Sequence, residues 1–376
     1  MGTLEVSSQA VVAGLTAAAL GAACLLLPAR GRRVRFGPGE STVLFGEGCD
    51  LGLLRSSGAA FAAGDYATLR RNFTEDGYCY IPQALDRAAV LDAKKDVLSE
   101  FAARGDILDA SKPIKEAVLR EGCAAGCVPF LEGRNSSTHS RAMAEVLEGE
   151  RIRDVVAAVL GVPSSSDVAT FDYKWLRAVP RDQFSGAHVD WVYMGGGSRE
   201  LVTCWIPIGD IPVHMGTLAV CEGSHRLPSF AKLSETYGKL DWEADHLDGS
   251  GWFTDDPAEI MHLFGGRWVS ADFKAGDILI FGMKTLHMST TNTTDKVRLS
   301  CDVRWQPASD PIDERYITNA DGTFGKLNKA GIKGINIGKG EGVEQSELAQ
   351  QSVTIKELRE KWGFPLTKAH EARGFK

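Results

Sequence analysis

The segment Gly186-Ala187-His188-Val189-Asp190-Trp191 carries an imidazole and a carboxylate two residues apart. If this segment is a β-strand, alternate residues point to the same face, so His188 and Asp190 project together. These are two of the three groups in the 2-His-1-carboxylate face that suits non-haem Fe(II). A His-x-Asp sequence often arises by chance, however, and a hydrogen-bonded polar pair inside a β-barrel is the competing interpretation.

A second segment supplies the missing imidazole. Residues 276–282, Gly-Asp-Ile-Leu-Ile-Phe-Gly, predict a turn and an apolar strand, and His287 follows on the next predicted strand. Arg298 lies eleven residues after His287, with Ser300 on the same face of its strand. A fixed guanidinium beside a hydroxyl is a natural receptor for a carboxylate. A dicarboxylate could therefore chelate a metal at one end and pair with Arg298 at the other.

Around these segments the chain is a series of short apolar stretches separated by Gly and Pro. The predicted strands are 169–179, 186–193, 201–208, 216–220, 277–281, 286–291 and 297–306. So many short strands predict a sandwich or barrel. A long insert, residues 226–275, separates the early strands from the late ones, and we expect it to form part of a substrate lid.

Helical patterns precede and follow the strands. Helices are predicted at 65–73, 88–103 and 143–160, with a closing helix over 352–362. We therefore predict a mainly β protein with flanking helices, built on a double-stranded β-helix (a jelly roll of the cupin type). This core is expected over about 169–306, within a domain that spans 66–376.

The start of the chain differs from the rest. Residues 11–27 form a run of apolar and small residues at the short limit for a membrane-spanning helix, and four arginines follow by residue 35. If the run spans a membrane, those arginines put the domain on the cytosolic side. We expect residues 1–40 to be a cytosol-facing membrane anchor or an organelle-targeting segment, residues 41–65 to be a linker, and the protein to be intracellular.

The composition indicates which kinds of binding partner to expect. The net charge of -7 and the pI near 5.7 argue against nucleic acid, because phosphate binding requires a basic surface. The eight cysteines are scattered, which favours free thiols in a reducing compartment over a disulfide framework. The expected partner is a small-molecule substrate, with membrane association through residues 11–27 as a second expectation.

The ordered motifs make a resemblance specific. The segment from about Arg71 to Trp362 resembles the phytanoyl-CoA dioxygenase family of Fe(II)/2-oxoglutarate oxygenases. The matching motifs are residues 73–78 (FTEDGY), 186–191 (GAHVDW), 203–208 (TCWIPI), 216–226 (GTLAVCEGSHR) and 276–281 (GDILIF), with His287 and Arg298 after them. One departure is Glu222, which stands where the family has proline in a Pro-Gly-Ser-His turn.

The resemblance implies a metal site and a reaction. His188, Asp190 and His287 would be the catalytic metal ligands, with Fe(II), 2-oxoglutarate as cosubstrate and O2. The implied reaction is hydroxylation of a small or lipid-like organic molecule, with release of succinate and CO2. Related halogenases replace the carboxylate ligand with a small residue, so the presence of Asp190 favours hydroxylation over halogenation.

The resemblance also implies a cosubstrate site. Arg298 would anchor the far carboxylate of 2-oxoglutarate, and Trp205 would line its site, although plain core packing is an equal alternative for this tryptophan. Ser300 fits the Arg-x-Ser arrangement of related oxygenases. Lys174 could reach the cosubstrate from the strand before the His-x-Asp pair, or it could face solvent.

Several polar residues compete for these roles. His214 and His225 are alternatives to His287 as third ligand, but His225 lies in a Gly-Ser-His-Arg turn that it is expected to stabilise. Asp302 and Arg304 continue the face of Arg298 and are expected to form a structural ion pair. Two other functional classes stay open: a non-catalytic cupin-like metal-binding or sensor protein, and a membrane-anchored scaffold that binds a partner.

Overall fold

A computed structural model describes residues 31–123, 135–318 and 352–375, together with the backbone of residues 132–133. The predicted fold class is confirmed, because two β-sheets face each other and helices pack outside them. The apolar run at 11–27 lies outside the described residues. Within the part of the chain that is described, no helix is long and apolar enough to cross a membrane.

The strands are short, and most have three to six residues. In chain order they are β1 (Arg32–Arg35), β2 (Thr42–Phe45), β3 (Leu51–Leu53), β4 (Tyr78–Ile81), β5 (Glu132–Gly133), β6 (Val168–Thr170), β7 (Lys174–Val179), β8 (Val202–Pro207), β9 (Leu218–Cys221), β10 (Leu247–Asp248), β11 (Trp268–Ser270), β12 (Ile278–Gly282), β13 (His287–Ser289), β14 (Arg298–Pro307) and β15 (Val353–Thr354).

Most helices lie before the core strands, within the insert or in the C-terminal segment. They are α1 (Gly58–Ala62), α2 (Tyr66–Asp76), α3 (Arg87–Arg104), α4 (Arg141–Glu148), α5 (Glu150–Leu160), α6 (Trp191–Met194), α7 (Ala231–Glu235), α8 (Pro257–Phe264), α9 (Ile355–Lys361) and α10 (Lys368–Ala372).

The larger sheet has the strand order β4-β12-β8-β14-β7-β5, with β6 also paired to β14. Its pairings are antiparallel throughout. The smaller sheet has the order β1-β2-β3-β11-β9-β13, and it is mixed because β3 pairs in parallel with both β2 and β11. A short parallel pair, β10 with β15, ties the insert to the C-terminal segment.

Strand alternation sorts the side chains into three apolar layers. Between the sheets, Trp205 and Phe281 of the larger sheet share a cluster with Leu218 and Val220 of the smaller one. The opposite face of the larger sheet packs against α2 to α5. The opposite face of the smaller sheet packs against the insert and the C-terminal segment. Each sheet is therefore covered on both faces. Successive side chains of a strand point to opposite faces, so each strand contributes to two of these layers.

The expectation of a linker at 41–65 is wrong, as is the assignment of residues 32–35 to a terminal segment separate from the domain. β1, β2, β3 and α1 lie there, and β3 joins β11 inside the smaller sheet. The buried side chains of Val34, Phe36 and Leu51 hold this segment on the apolar layer of the insert. Strands of three or four residues between glycine turns are too short to show a period, which is why the sequence pattern was misleading.

Three other elements differ from prediction because the backbone bends within them. The predicted strand 169–179 is two strands, β6 and β7. The predicted helix 143–160 is two helices that break at Gly149, where an added Cβ would lie 2.3 Å from the carbonyl oxygen of Glu145. Residues 186–193 form isolated bridges at Ala187 and His188, followed by α6.

Gly77 ends α2 in the left-handed region, with a φ of 83°. An added Cβ there would lie 2.5 Å from Nδ1 of His225 and 2.7 Å from Oγ1 of Thr285. Gly105 ends α3 with a φ of 74°, but a Cβ there would meet no other described atom within 4 Å. The two glycines thus share a backbone conformation and differ in the space around them.

We expect Gly77→Ala to lower the free energy of unfolding more than Gly105→Ala does. The left-handed conformation costs an alanine about 1–2 kcal/mol at either site. The crowding at Gly77 adds roughly 1–3 kcal/mol. Chemical denaturation of the two variants measures the difference, and equal destabilisation would contradict the close approach of His225.

Candidate metal centre

Three side chains from separate elements converge between the sheets. The ligand atoms of His188, Asp190 and His287 all lie within 4.8 Å of one another. The Nε2 atoms of His188 and His287 are 3.7 Å and 3.6 Å from Oδ1 of Asp190. The described residues contain no other group of three such side chains that could hold a metal ion.

The backbone brings the two imidazoles together. The amides of His188 and His287 each donate to the carbonyl oxygen of the other, both at 3.0 Å. Their ring centroids are 4.2 Å apart. The prediction that Asp190 shares a strand with His188 is wrong, because Asp190 occupies the N-cap position of α6, where its side chain makes no capping hydrogen bond. The turn into the helix carries its carboxylate to the same side as the imidazoles.

Hydrogen bonds orient both rings. Nδ1 of His188 lies 2.8 Å from the carbonyl oxygen of Gly186, and Nδ1 of His287 lies 3.0 Å from that of Thr285. A carbonyl oxygen only accepts, so each Nδ1 carries the proton and donates it. Nε2 of each ring is therefore the atom that faces the carboxylate of Asp190, which is the orientation that a metal-binding histidine needs.

The charge states also suit a metal. Burial, with repulsion from His287 as a second cause, lowers the pKa of His188 to about 3, so its imidazole is neutral. Burial alone would raise the pKa of Asp190, but the Arg304 guanidinium and the two imidazoles together hold the pKa of that carboxyl below its ordinary value. Two imidazoles and one carboxylate are the donor set of non-haem Fe(II), so the residues present fit this ion.

The triad opens into a cavity between the sheets. Its polar wall includes Arg177, Arg298, Asp302 and Arg304, and its apolar wall includes Val179, Phe184, Leu218 and Phe281. Strand β14 contributes most of this polar wall, because Arg298, Asp302 and Arg304 share one of its faces. Leu299, Cys301 and Val303 of its other face lie in the helix-covered layer.

The structure brings three of the predicted cosubstrate residues together. Arg298 is 3% exposed, lines the cavity and donates a hydrogen bond to Oγ of Ser300. The Cζ atom of Arg298 lies 6.0 Å from the ring centroid of Trp205, which also lines the cavity. A carboxylate could accept from this guanidinium in a setting that excludes most water.

Lys174 is not part of this arrangement. Its side chain is fully buried on the other face of β7, where Nζ lies 2.8 Å from Oε1 of Glu148 and donates to the carbonyl oxygen of Phe171. Alternation explains the placement, because Arg177 faces the cavity and a residue three positions away on the same strand faces outward. The expectation that Lys174 reaches a cosubstrate, or else faces solvent, is therefore corrected.

None of the residues of the insert 226–275, which was expected to form part of a substrate lid, lines the cavity. Instead, Gln183, Phe184 and Ser185 line it from the loop after β7. The insert supports that loop from behind, since the rings of Trp252 and Phe184 stack with centroids 6.3 Å apart. The insert also contributes β11 to the smaller sheet.

The competing histidines lie elsewhere. Nε2 of His225 is 3.0 Å from the carbonyl oxygen of Thr74, so this histidine ties its own turn, residues 223–226, to the end of α2. Sequence reasoning overlooked Arg177 and Thr203, although both lie on predicted strands at positions that alternation assigns to the inner face. The sequence offered no signal for residues 183–185, because a loop has no regular period from which the direction of its side chains can be predicted.

The chain matches a family model and is similar to a bacterial hydroxylase. The family model described as Phytanoyl-CoA dioxygenase (PhyH) matches residues 73–300, more than half of the chain. The chain is 24% identical over 266 residues to the 1-deoxypentalenic acid 11-beta-hydroxylase of Streptomyces exfoliatus, a match that covers 65% of this chain and 82% of that relative.

Two solved structures are similar at a lower sequence identity. The epimerase SnoN, in complex with Fe3+, alpha ketoglutarate and nogalamycin RO, is 20% identical with a TM-score of 0.46, and the match covers 70% of this chain and 94% of SnoN. The carbocyclase SnoK from nogalamycin biosynthesis is 18% identical with a TM-score of 0.44, and the match covers 75% of this chain and 94% of SnoK.

We expect His188→Ala and His287→Ala each to weaken Fe(II) binding by at least about tenfold, because each removes one of three metal donors. His225→Ala is the matched control and should bind Fe(II) as the unmodified chain does. Titration with Fe(II) under anaerobic conditions, against a competing chelator, measures all three. Retention of full affinity in His287→Ala, with a loss in His225→Ala, would overturn this choice of third ligand.

Proposed function

The chain belongs to the phytanoyl-CoA dioxygenase (PhyH) family, and on that premise we propose that it hydroxylates a small or lipid-like organic molecule with release of succinate and CO2. It is an oxidoreductase, a 2-oxoglutarate-dependent dioxygenase that uses Fe(II), 2-oxoglutarate and O2.

In this proposal His188, Asp190 and His287 hold the iron. Bound iron supplies the oxidising chemistry, which couples the decarboxylation of 2-oxoglutarate to the oxidation of a C–H bond. The protein's part is to aim both imidazoles inward through Gly186 and Thr285, to keep His188 neutral, and to keep the carboxylate of Asp190 ionised. The three side chains would hold the metal at the cavity wall, where a cosubstrate in the cavity could reach it.

Arg298 would receive the far carboxylate of 2-oxoglutarate. The observation that carries the proposal is that this buried guanidinium lines the same cavity as the His-Asp-His cluster. A dicarboxylate has one end for each of these sites. Ser300 holds the guanidinium from one side and Trp205 borders it on another, so the side chain is oriented before the cosubstrate arrives.

The rest of the cavity supports an organic substrate with an apolar body. Val179, Phe184, Leu218 and Phe281 offer apolar contacts, and a few polar groups lie among them, as in most small-molecule sites. The Streptomyces relative carries the name of a hydroxylase of 1-deoxypentalenic acid, and hydroxylation is the reaction proposed here. The carboxylate of Asp190 occupies the position that a halide would need, which favours hydroxylation over halogenation.

We expect Arg298→Met to raise the Kd for 2-oxoglutarate by about 10- to 100-fold, since a hydrogen bond between charged groups contributes roughly 1.5–3 kcal/mol. Lys174→Met is the matched control, because it also removes one buried cation but lies on the outer face of β7. Anaerobic titration with 2-oxoglutarate in the presence of Fe(II) gives both constants. An equal loss in both variants would contradict the assignment of Arg298.

We expect a cognate substrate to raise succinate release, with one hydroxylated product formed per succinate. The measurement is 2-oxoglutarate turnover across a panel of small organic acids, terpenoids and acyl compounds, with products identified by mass spectrometry. Asp190→Ala should lose both succinate and product. If iron and 2-oxoglutarate bind but no member of a broad panel couples succinate to product, the proposed reaction fails, and a metal-binding or sensor role takes its place.

A further inference from the structure

The two oxygens of the Asp190 carboxylate have different surroundings. Oδ1 faces the Nε2 atoms of both histidines. Oδ2 accepts two hydrogen bonds from the opposite side, from Oγ1 of Thr203 at 2.5 Å and from Nη2 of Arg304 at 2.9 Å. One oxygen is therefore turned toward the candidate metal position, and the other is occupied by the protein.

Arg304 is deeply buried for an arginine, at 4% exposure. Its Cζ atom lies 4.3 Å from the ring centroid of Trp175, so the guanidinium is stacked as well as hydrogen-bonded. Its Nη1 atom lies 3.9 Å from Oδ2 of Asp302, which in turn lies 3.5 Å from Nε of Arg177. Charges of alternating sign thus run from the metal carboxylate across the wall of the cavity.

Stability alone is a poor reason for this arrangement. Burying an ion pair costs desolvation free energy that the pairing roughly offsets, so buried pairs are weak evidence of stabilisation. Nε and Nη1 of Arg304 also have no hydrogen-bond partner among the described residues. The guanidinium gives its one side-chain hydrogen bond to the oxygen of Asp190 that faces away from the histidines.

We propose that Arg304, with Thr203, is a positioning residue that restricts Asp190 to a single metal-binding oxygen. A carboxylate that binds with both oxygens takes up an additional coordination position. The reaction requires open positions on the metal for 2-oxoglutarate and O2. By holding Oδ2, Arg304 keeps one of those positions available. This inference rests on the proposed function, because it assigns a role toward the same metal site.

The test uses Co(II) as a spectroscopic probe of the metal-bound full-length chain. In Arg304→Met the oxygen Oδ2 loses its charged partner, so the carboxylate can bind with both oxygens. The expected results are a changed Co(II) absorption spectrum and a Kd for 2-oxoglutarate that rises by about tenfold or more. Arg304→Lys keeps the charge and one donor and should restore most of the original spectrum and affinity.

Thr203→Val removes the second hydrogen bond to Oδ2 and should shift the spectrum in the same direction, by less. Arg315→Met is the matched control, because Arg315 is also buried and ion-paired, to Asp313, and does not contact the triad. It should lower the melting temperature and leave the spectrum unchanged.

An unchanged Co(II) spectrum and 2-oxoglutarate affinity in a folded Arg304→Met protein would overturn the proposal. So would an identical change in Arg315→Met, since that would point to general destabilisation. Failure of the proposed function is distinguishable, because the unmodified chain would then bind Co(II) and 2-oxoglutarate and still couple no organic substrate to succinate.

Discussion

The reciprocal backbone hydrogen bonds between His188 and His287 are the contact on which the metal centre depends. They set the two imidazoles side by side although the residues are far apart in the chain. The bridge is short, and its neighbour Ala187 pairs with Thr254 of the insert. Thr254 in turn contacts the fully buried His370 of α10 at 2.9 Å. The C-terminal segment thus stabilises the metal centre without touching it.

The cost of burying charge explains much of what surrounds the bridge. A carboxylate at 3% exposure is tolerated only with compensating partners, and Asp190 has Arg304, Thr203 and the two imidazoles. Arg304 needs compensation in its turn, which Asp302 and the ring of Trp175 provide. One face of β14 is therefore a row of charged and polar residues, while its other face is plain apolar core.

That row is also what made the site predictable from sequence. Arg298 and Ser300 alternate with apolar residues on a strand that is long enough to show its period of two. They also follow His287 closely in the sequence, so their position relative to it requires few long-range contacts. Asp190 lies beside the two histidines, as the sequence predicts. It reaches that position because it begins a helix, and not because it continues a strand. Lys174 was misplaced because β7 is covered on both faces, so a polar residue there does not reveal its direction. Neither the strands at 32–53 nor the loop at 183–185 has a period, because their positions depend on tertiary contacts.

The loop that lines the cavity is held from two sides, and one of the two supporting segments, β1, lies outside the family match over residues 73–300. Nη1 of Arg35 lies 2.5 Å from Oδ1 of Asp182, and the amide of Thr291 donates to the carbonyl oxygen of Arg35 at 3.0 Å. On the other side, Trp252 of the insert stacks on Phe184. His287, Arg298, Ser300 and Trp205 lie on paired strands, whereas Gln183, Phe184 and Ser185 of the cavity wall lie on a loop that is held by an N-terminal strand and by the insert. These three parts of the chain meet only in the folded protein. Selectivity can therefore diverge within the family while the chemistry stays the same, because the two depend on different parts of the chain.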